Sequence, residues 1–303
     1  LGTGVWGRRY VQAYRGLSSR LDAVSGAALK EALQGLSTKR RRVACVPLVV
    51  GGDDLTAVVS GEEALGFTRR YLDAFMEGTK KDAIISELAK AAGLEGGALG
   101  VCAGVAIVKP HFPFSTAYGL AEELIRSAKL VKEEQPTPAC ALDFHVLYDS
   151  AAVSLERIRE RMHHDSPEFR RTAKPFVVRV EGNASEWSSE HGWCPLERAV
   201  KALTAEDRGD PSRFALPRSQ AAALRKAIAA RCEVAELDTD WKLLRRRYPA
   251  FADAWGTAPL FSDAIPASTT FCDALEVLTL LALQADAGHA EDEAAPGTEG
   301  RAS

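Results

Sequence analysis

Apolar residues recur every three or four positions in several long segments, which is the period of an α-helix. The repeat in 7–36 predicts one amphipathic helix, and it consists of Val11, Tyr14, Leu17, Leu21, Val24, Leu29 and Leu33. The same period predicts helices over 61–78, 81–93 and 116–134. In the helix over 61–78, the face expected to point inward consists of Leu65, Phe67, Tyr71, Leu72 and Phe75.

Between these helices lie apolar runs that are typical of strands, at 43–50, 55–60, 97–109 and 141–149. The run "VACVPLVV" at 43–50 has no polar alternation, which is typical of a strand buried on both faces. We therefore expect it to be central in its sheet. Pro47 is discordant with this interpretation because proline cannot donate to a strand ladder.

The predicted order of elements is α-β-β-α-β-α-β, and one more strand before the first helix would give β-α-β-β-α-β. That order is the ferredoxin-like arrangement of a polymerase palm. The sequence thus predicts an α+β fold, a palm with its first strand missing, followed by a mostly helical part. We expect three segments: a palm over 1–150, a helical domain over 151–285, and an acidic, Pro- and Gly-containing disordered tail over 286–303.

The segment "VPLVVGGDDLTAVVS" at 46–60 places two glycines and two aspartates between two apolar strands. Gly51 and Gly52 allow the backbone conformations of a tight reversal, and they leave room for a phosphate. Asp53 and Asp54 then emerge where the turn meets the returning strand. Adjacent carboxylates repel each other, and a divalent cation such as Mg²⁺ relieves that repulsion. A plain surface turn is the alternative, because Gly and Asp are common turn residues.

The hairpin "LVVGGDDLTAVV" resembles the GGDD motif of the second palm in the large subunit of type III CRISPR–Cas effector complexes, which is related to GGDEF-type nucleotide cyclases. The segment "CAGVAIVKPHFPFSTAYGLAEELIRSAK" at 102–129 resembles the strand, loop and helix that follow the motif, and "LDFHVLYDS" resembles the next strand. The resemblance covers roughly 1–150 and continues more loosely beyond it.

The resemblance implies that the chain joins ATP into cyclic oligoadenylate, a second messenger of antiviral defence. It implies that Asp53 and Asp54 are catalytic and bind Mg²⁺ or Mn²⁺, and that Gly51 and Gly52 adjoin the nucleotide. A ribose hydroxyl would attack the α-phosphorus of a second nucleotide, and pyrophosphate would leave. Lys129 matches a lysine that neutralises the triphosphate. Ser115 is a further candidate for phosphate contact, although an N-cap of the helix at Ser115 or Thr116 explains it equally well.

The chain departs from this pattern at its start. Such palms supply another metal-binding aspartate at the end of their first strand, whereas here no acidic residue precedes Asp22. Because the sequence begins at Leu1, we expect it to be a fragment that lacks this strand. Whether a nuclease domain precedes Leu1 is left open. Two alternatives follow: a structural, RNA-contacting palm without catalysis, and a diguanylate cyclase that uses GTP. Asp54-Leu55 stands where diguanylate cyclases have Glu-Phe, and this difference weakens the diguanylate-cyclase alternative.

Composition narrows the partners and the compartment. The net charge of −3 provides no overall basic field for wrapping nucleic acid, so contacts with CRISPR RNA or other effector subunits would be local. The six cysteines are too far apart for a CxxC-type zinc or redox motif. Together with the absence of a membrane-length apolar run or a visible signal peptide, this predicts a cytoplasmic protein without a membrane anchor.

Overall fold

The computed structural model describes residues 3–36, 44–147, 154–163, 169–207, 209–210, 213–230, 233–263 and 266–280. It has the α+β composition predicted from the sequence, with helices outnumbering strands in the described ranges. The helices are α1 Thr3–Gln34, α2 Gly61–Lys81, α3 Ala83–Ala91, α4 Phe114–Lys129, α5 Val131–Glu134, α6 Leu155–His163, α7 Glu186–Glu190, α8 Trp193–Thr204, α9 Arg218–Ala230, α10 Val234–Arg247, α11 Pro249–Trp255 and α12 271–280. None of these described helices is both long enough and apolar enough to cross a bilayer.

The strands in the described ranges form three small sheets. They are β1 Cys45–Gly51, β2 Asp54–Val59, β3 Cys102–Ile107, β4 Ala139–Val146, β5 Phe169–Arg170, β6 Phe176–Val180 and β7 Ala267–Ser268. Strands β1 and β2 form an antiparallel hairpin, and β5 and β7 form a short parallel pair. The central sheet has the order β3-β4-β6, in which β3 and β4 are parallel and β6 is antiparallel to β4.

Helix α4 connects the parallel strands β3 and β4 and packs directly on β3. A Cβ on Gly104 would lie only 2.2 Å from the carbonyl oxygen of Ala121 and 2.6 Å from the amide nitrogen of Ile125. The side-chain-free position in the strand therefore lets the helix backbone approach. At the other end of the helix, the Sγ of Cys102 lies 3.6 Å from the carbonyl oxygen of Ala128, so α4 runs antiparallel to β3.

Helix α2 covers the opposite face of the sheet and reaches α1 on its outer side. All five residues predicted to point inward from this helix are buried, which confirms that part of the prediction. The apolar repeat of α1 is only partly buried: Leu29 is buried, whereas Val11 and Tyr14 are exposed. The repeat therefore predicted the helix correctly but overstated the length of its packed face.

The prediction that 43–50 is a buried central strand is wrong. Within the described residues, β1 pairs only with β2, and its residues from Val46 to Gly51 are exposed. The exposed fraction is 46% for Val46 and 52% for Val49. A run of apolar residues is buried on both faces only when strands and helices cover it, and the described part of the chain supplies no second neighbour for β1.

The hydrophobic core extends beyond residue 150. Strand β6 belongs to the same sheet as β3 and β4, and Phe176 stacks on Phe144 with ring centroids 6.1 Å apart. A further aromatic group in the later helices surrounds Trp241, whose ring lies 4.9 Å from that of Trp255. The division into 1–150 and 151–285 stays a prediction, and the tail over 286–303 lies outside the described residues.

Candidate functional site

The GGDD segment forms the tip of the β1–β2 hairpin. Gly51 pairs with Asp54, so Gly52 and Asp53 are the two turn residues. Gly52 has a φ of +60° and Asp53 does not have a positive φ, as in a type II′ turn, which takes glycine at its first central position. The order Gly-Gly-Asp-Asp thus matches the turn: the flexible residue comes where the backbone needs it, and the carboxylates follow.

The discordant proline is accommodated by an irregularity of the strand. The pairing register of β1 shifts between Pro47 and Val49, which leaves Leu48 as an extra residue. A bulge of this kind bends the strand and interrupts the hydrogen-bond ladder next to the proline, which has no amide hydrogen to donate. The hairpin keeps its register at the tip because the bulge lies well before the turn.

Both carboxylates are exposed, and the electrostatics of the nearby Tyr71 record their position. Burial raises the pKa of Tyr71, the hydrogen bond with Ser25 lowers it, and the negative charges of Asp53 and Asp54 raise it further. The Tyr71 hydroxyl lies 2.8 Å from the Ser25 hydroxyl, so α1 and α2 meet in a buried pair of hydroxyls close to the hairpin tip. The negative charges of Asp53 and Asp54 therefore act on the buried hydroxyl pair that joins α1 to α2.

Helix α1 also contacts the turn directly. The amide N–H of Gly52 donates to Oδ1 of Asp22 over 3.2 Å. Sequence analysis did not identify this contact, since Asp22 is 30 residues from Gly52 and lies among the polar positions of an amphipathic helix. Asp22 and Ser25 are three residues apart on one face of α1, which is the only sequence signal that relates them.

Lys129 is exposed at the last position of α4, close to the beginning of β3. Burial raises the pKa of Cys102 in β3, and the positive charges of Lys132 and Lys129 lower it, which places both cations near this end of the strand. The hairpin tip lies toward the same end. A Cβ on Gly61, just after β2, would lie 3.3 Å from Ile107 at the far end of β3. At the beginning of β3, the Sγ of Cys140 in the neighbouring strand lies 3.5 Å from the carbonyl oxygen of Leu72, which follows the residue on which Asp53 and Asp54 act, Tyr71.

Ser115 lies at the other end of α4. Its separation from Lys129, fourteen residues of helix, corresponds to about 21 Å. The structure therefore does not bring the two predicted phosphate contacts together, and it places Lys129, not Ser115, toward the end at which the tip lies. The expected N-cap at Ser115 or Thr116 is wrong: α4 begins at Phe114, and Pro113 occupies the N-cap position without a side-chain hydrogen bond.

The donor atoms at the tip fit a hard divalent cation. Mg²⁺ is usually held by one or two carboxylates, and waters and substrate phosphates complete its octahedron. Asp53 and Asp54 provide two exposed carboxylates beside backbone without side chains at Gly51 and Gly52. In the described ranges, no three His, Cys, Asp or Glu side chains are grouped so as to enclose a metal ion. The tip thus suits an ion shared with a nucleotide better than a closed protein site.

Sequence analysis also missed a buried ionic cluster on the α4 side of β4. Nη2 of Arg159 lies 2.6 and 2.8 Å from the two carboxylate oxygens of Asp143, whose side chain is fully buried. Nη1 of the same guanidinium approaches Thr172, which in turn donates to Asp273 over 2.7 Å. These contacts join β4 to α6, to the segment before β6 and to α12.

Lys174 forms the second half of this cluster. Its Nζ lies 2.5 Å from Glu276 Oε2 and 3.7 Å from Asp273 Oδ1. Burial raises the pKa of Asp273 to about 6, in spite of the lysine. Burial also acts to raise the pKa of Glu276, but the lysine outweighs it and the pKa is lowered. Glu276 further accepts the amide of Val146 over 2.8 Å, so the cluster fixes α12 to the end of β4.

Comparison with known families returns no match to the chain, and a search of curated proteins returns no significant match.

Proposed function

We propose that the chain is a nucleotidyltransferase palm of the type III CRISPR large-subunit kind, which joins ATP into cyclic oligoadenylate. One observation supports this proposal above the others: the GGDD segment forms a two-residue turn in which Gly52 has the required positive φ, and the consecutive residues Asp53 and Asp54 at this tip are both exposed. A surface turn needs neither a second aspartate nor apolar strands on both sides. The resemblance of 102–129 to the family's next strand, loop and helix adds to it.

The arrangement of β2 and β3 is compatible with an incomplete palm sheet. Gly61, two residues past the end of β2, lies near Ile107 at the end of β3, and Leu55, Val59 and Val105 pack against the same core. Nevertheless β2 and β3 belong to separate sheets. In a ferredoxin-like sheet the first strand occupies the place between these two, so we infer that one further strand fits there. An acidic residue at its end would add a third carboxylate to the tip.

In the proposed reaction, Asp53 and Asp54 hold the divalent cation, Mg²⁺ or Mn²⁺, which supplies charge neutralisation for the phosphates when bound. The glycine backbone at 51–52 leaves room for a nucleotide to approach. A ribose hydroxyl of one nucleotide forms a bond to the α-phosphorus of the next, and the bond to pyrophosphate breaks. Lys129 offsets negative charge on the leaving phosphates from the same end of the sheet.

The test is incubation of the chain with ATP and Mn²⁺, followed by chromatography of the products. We expect oligoadenylate and pyrophosphate from the unaltered chain and none from the double variant Asp53→Ala, Asp54→Ala. Measurable product in equal amounts from both would refute the assignment of the two aspartates. Parallel incubation with GTP distinguishes the diguanylate-cyclase alternative, which predicts a guanosine product instead.

A second candidate function is a palm that contacts RNA or other subunits of the effector without catalysis. The observation that favours it is the absence, in the described ranges, of a third carboxylate in a metal-binding arrangement at the tip. This candidate predicts that the chain releases no pyrophosphate from ATP, even when a strand ending in aspartate is joined upstream of α1. Turnover that appears only in the extended chain would favour the catalytic palm.

A further inference from the structure

The hairpin tip has one tertiary hydrogen bond that its own turn geometry does not require. A type II′ turn is closed by the pairing of the residues on either side of it, here Gly51 and Asp54. The amide of Gly52 takes no part in that closure, and in an isolated hairpin it would face water. In this chain it donates to Asp22 Oδ1 of α1 over 3.2 Å.

This contact lies next to the α1–α2 hydroxyl pair. Asp22 precedes Ser25 by three residues, so both side chains are on one face of α1. Ser25 is buried, and its hydroxyl lies 2.8 Å from that of Tyr71. The tip is consequently held to α1 about one helical turn before this hydroxyl pair, and the negative charges of Asp53 and Asp54 act on Tyr71.

The exposed hairpin needs such a hold. Val46, Val49 and Val50 of β1 are about half exposed, so packing alone does not fix the hairpin along its length. Two adjacent carboxylates repel each other, and in a two-stranded ribbon they would drive the turn to open. A negatively charged acceptor placed beside them increases that repulsion, and its hydrogen bond to the turn acts in the opposite sense.

The geometry points to Asp22 as a positioning residue of the proposed metal site. Its carboxylate fixes the amide of Gly52, and through it the turn that presents Asp53 and Asp54 together to a cation. The effect on metal binding rests on the proposed function, whereas the hydrogen bond is observed in the structure. The acceptor oxygen performs this role, not the charge, because the contact is to a neutral amide.

The test compares Asp22→Ala, which removes the acceptor, with Asp22→Asn, which keeps an oxygen in the same place. Glu31→Ala is the matched control, because Glu31 is an exposed acidic residue of the same helix, nine residues beyond Asp22 and so about 13.5 Å along the helix from it. Labelling with ¹⁵N-glycine follows amide exchange of Gly52, and electron paramagnetic resonance follows binding of Mn²⁺ alone. Circular dichroism verifies that each variant is folded.

We expect Asp22→Ala to speed exchange at Gly52 about three- to tenfold and to weaken Mn²⁺ binding by a similar factor, the scale of one hydrogen bond. In Asp22→Asn, the exchange rate at Gly52 and the affinity for Mn²⁺ should stay within about threefold of the values for the unaltered chain. In Glu31→Ala, both values should equal those of the unaltered chain. The inference is overturned if Asp22→Ala leaves Gly52 exchange unchanged, or if Asp22→Asn weakens Mn²⁺ binding as much as Asp22→Ala does.

Failure of the proposed function gives a different result. In that case the unaltered chain and the variant Asp53→Asn, Asp54→Asn bind Mn²⁺ equally poorly. Gly52 exchange then decides whether Asp22 positions the turn: faster exchange in Asp22→Ala alone supports that role, and unchanged exchange overturns it.

Discussion

Nη2 of Arg159 lies within 2.8 Å of both carboxylate oxygens of Asp143, which joins α6 to the fully buried face of β4. The guanidinium is largely buried as well, and it also approaches the hydroxyl of Thr172. Burying a charge is costly unless it is paired and hydrogen-bonded. The pair therefore holds α6 in one position on the sheet, because separation of the two groups would leave a buried charge without its counter-charge.

Removal of either partner should destabilise the fold strongly. We expect Arg159→Met to lower the free energy of unfolding by about 3–5 kcal/mol, because it leaves the Asp143 carboxylate buried without a counter-charge. The double variant with Asp143→Asn should lose less than the sum of the two single losses. Urea denaturation of the four proteins measures this coupling.

The control for this cycle is an exposed pair. Lys242 and Asp238 lie 2.6 Å apart on the surface of α10, and Lys242→Met should cost only about 0.3–0.5 kcal/mol. A loss at Arg159 no larger than the loss at Lys242 would contradict the structural importance of the buried pair.

His145 should make stability depend on pH. Burial lowers its pKa from the usual 6.5, Glu276 and Asp143 act in the opposite sense, and Lys174 and Arg159 lower it further. The unfolded chain therefore takes up a proton on this histidine at a higher pH than the folded chain does. The contribution of His145 to stability is fully present above pH 6.5, the ordinary pKa of histidine, and it is lost as the pH falls below 6.5. We expect His145→Asn to reduce the difference between the urea midpoints at pH 7.5 and pH 5.5.

Asp273 acts in the reverse direction in the same cluster. Its raised pKa of about 6 means that the folded protein binds a proton more tightly, so this group adds stability at low pH that is lost as the pH rises through 6. The comparison of His145→Asn with the unaltered chain cancels this contribution to first order. An unchanged difference between the two midpoints would show that His145 does not contribute.

The cysteines should differ widely in reactivity. Cys194 is exposed, whereas burial raises the pKa values of Cys140 and Cys272 to about 12. Since the thiolate is the nucleophile, we expect iodoacetamide at pH 8 to modify Cys194 more than about 100-fold faster than Cys140. Peptide mass spectrometry of the folded protein measures the two rates. Equal rates would mean that the core around Cys140 opens readily.

Substitutions of Lys129 and of Ser115 should have different effects on the affinity for ATP. Lys129 lies toward the same end of β3 as the hairpin tip, and Ser115 lies at the opposite end of α4. We expect Lys129→Ala to weaken ATP binding several-fold and Ser115→Ala to leave it unchanged, because about 21 Å of helix separates the two side chains. Arg126→Ala, which removes an exposed cation one turn earlier in α4, is the control. A loss in Ser115→Ala equal to that in Lys129→Ala would show that the nucleotide is bound elsewhere.

The local features of the fold were predictable from the sequence. Helical periodicity located α2 and its buried face, and the Gly-Gly-Asp-Asp order located the turn to within one residue, since Gly51 belongs to β1 and Asp53, not Gly51, is a turn residue. Each of these features depends on residues within a few positions along the chain, and helical periodicity and turn preferences are well-defined local signals.

The features that depend on distant partners were not predictable. The exposure of Val46 and Val49 follows from which strands pair with β1, and composition does not determine pairing. Asp143 lies 16 residues from Arg159 and Asp273 lies 101 from Thr172, so no spacing in the sequence relates them. Asp22 was missed for the same reason, since its contact with Gly52 exists only once α1 has folded against the hairpin.

The most direct test of the central claim measures Mn²⁺ binding in the presence of a non-reactive ATP analogue, by electron paramagnetic resonance. If Asp53 and Asp54 hold the cation against the nucleotide, the unaltered chain binds Mn²⁺ saturably, and the variant Asp53→Asn, Asp54→Asn loses at least about tenfold in affinity. Equal Mn²⁺ affinity of the two proteins would contradict the claim.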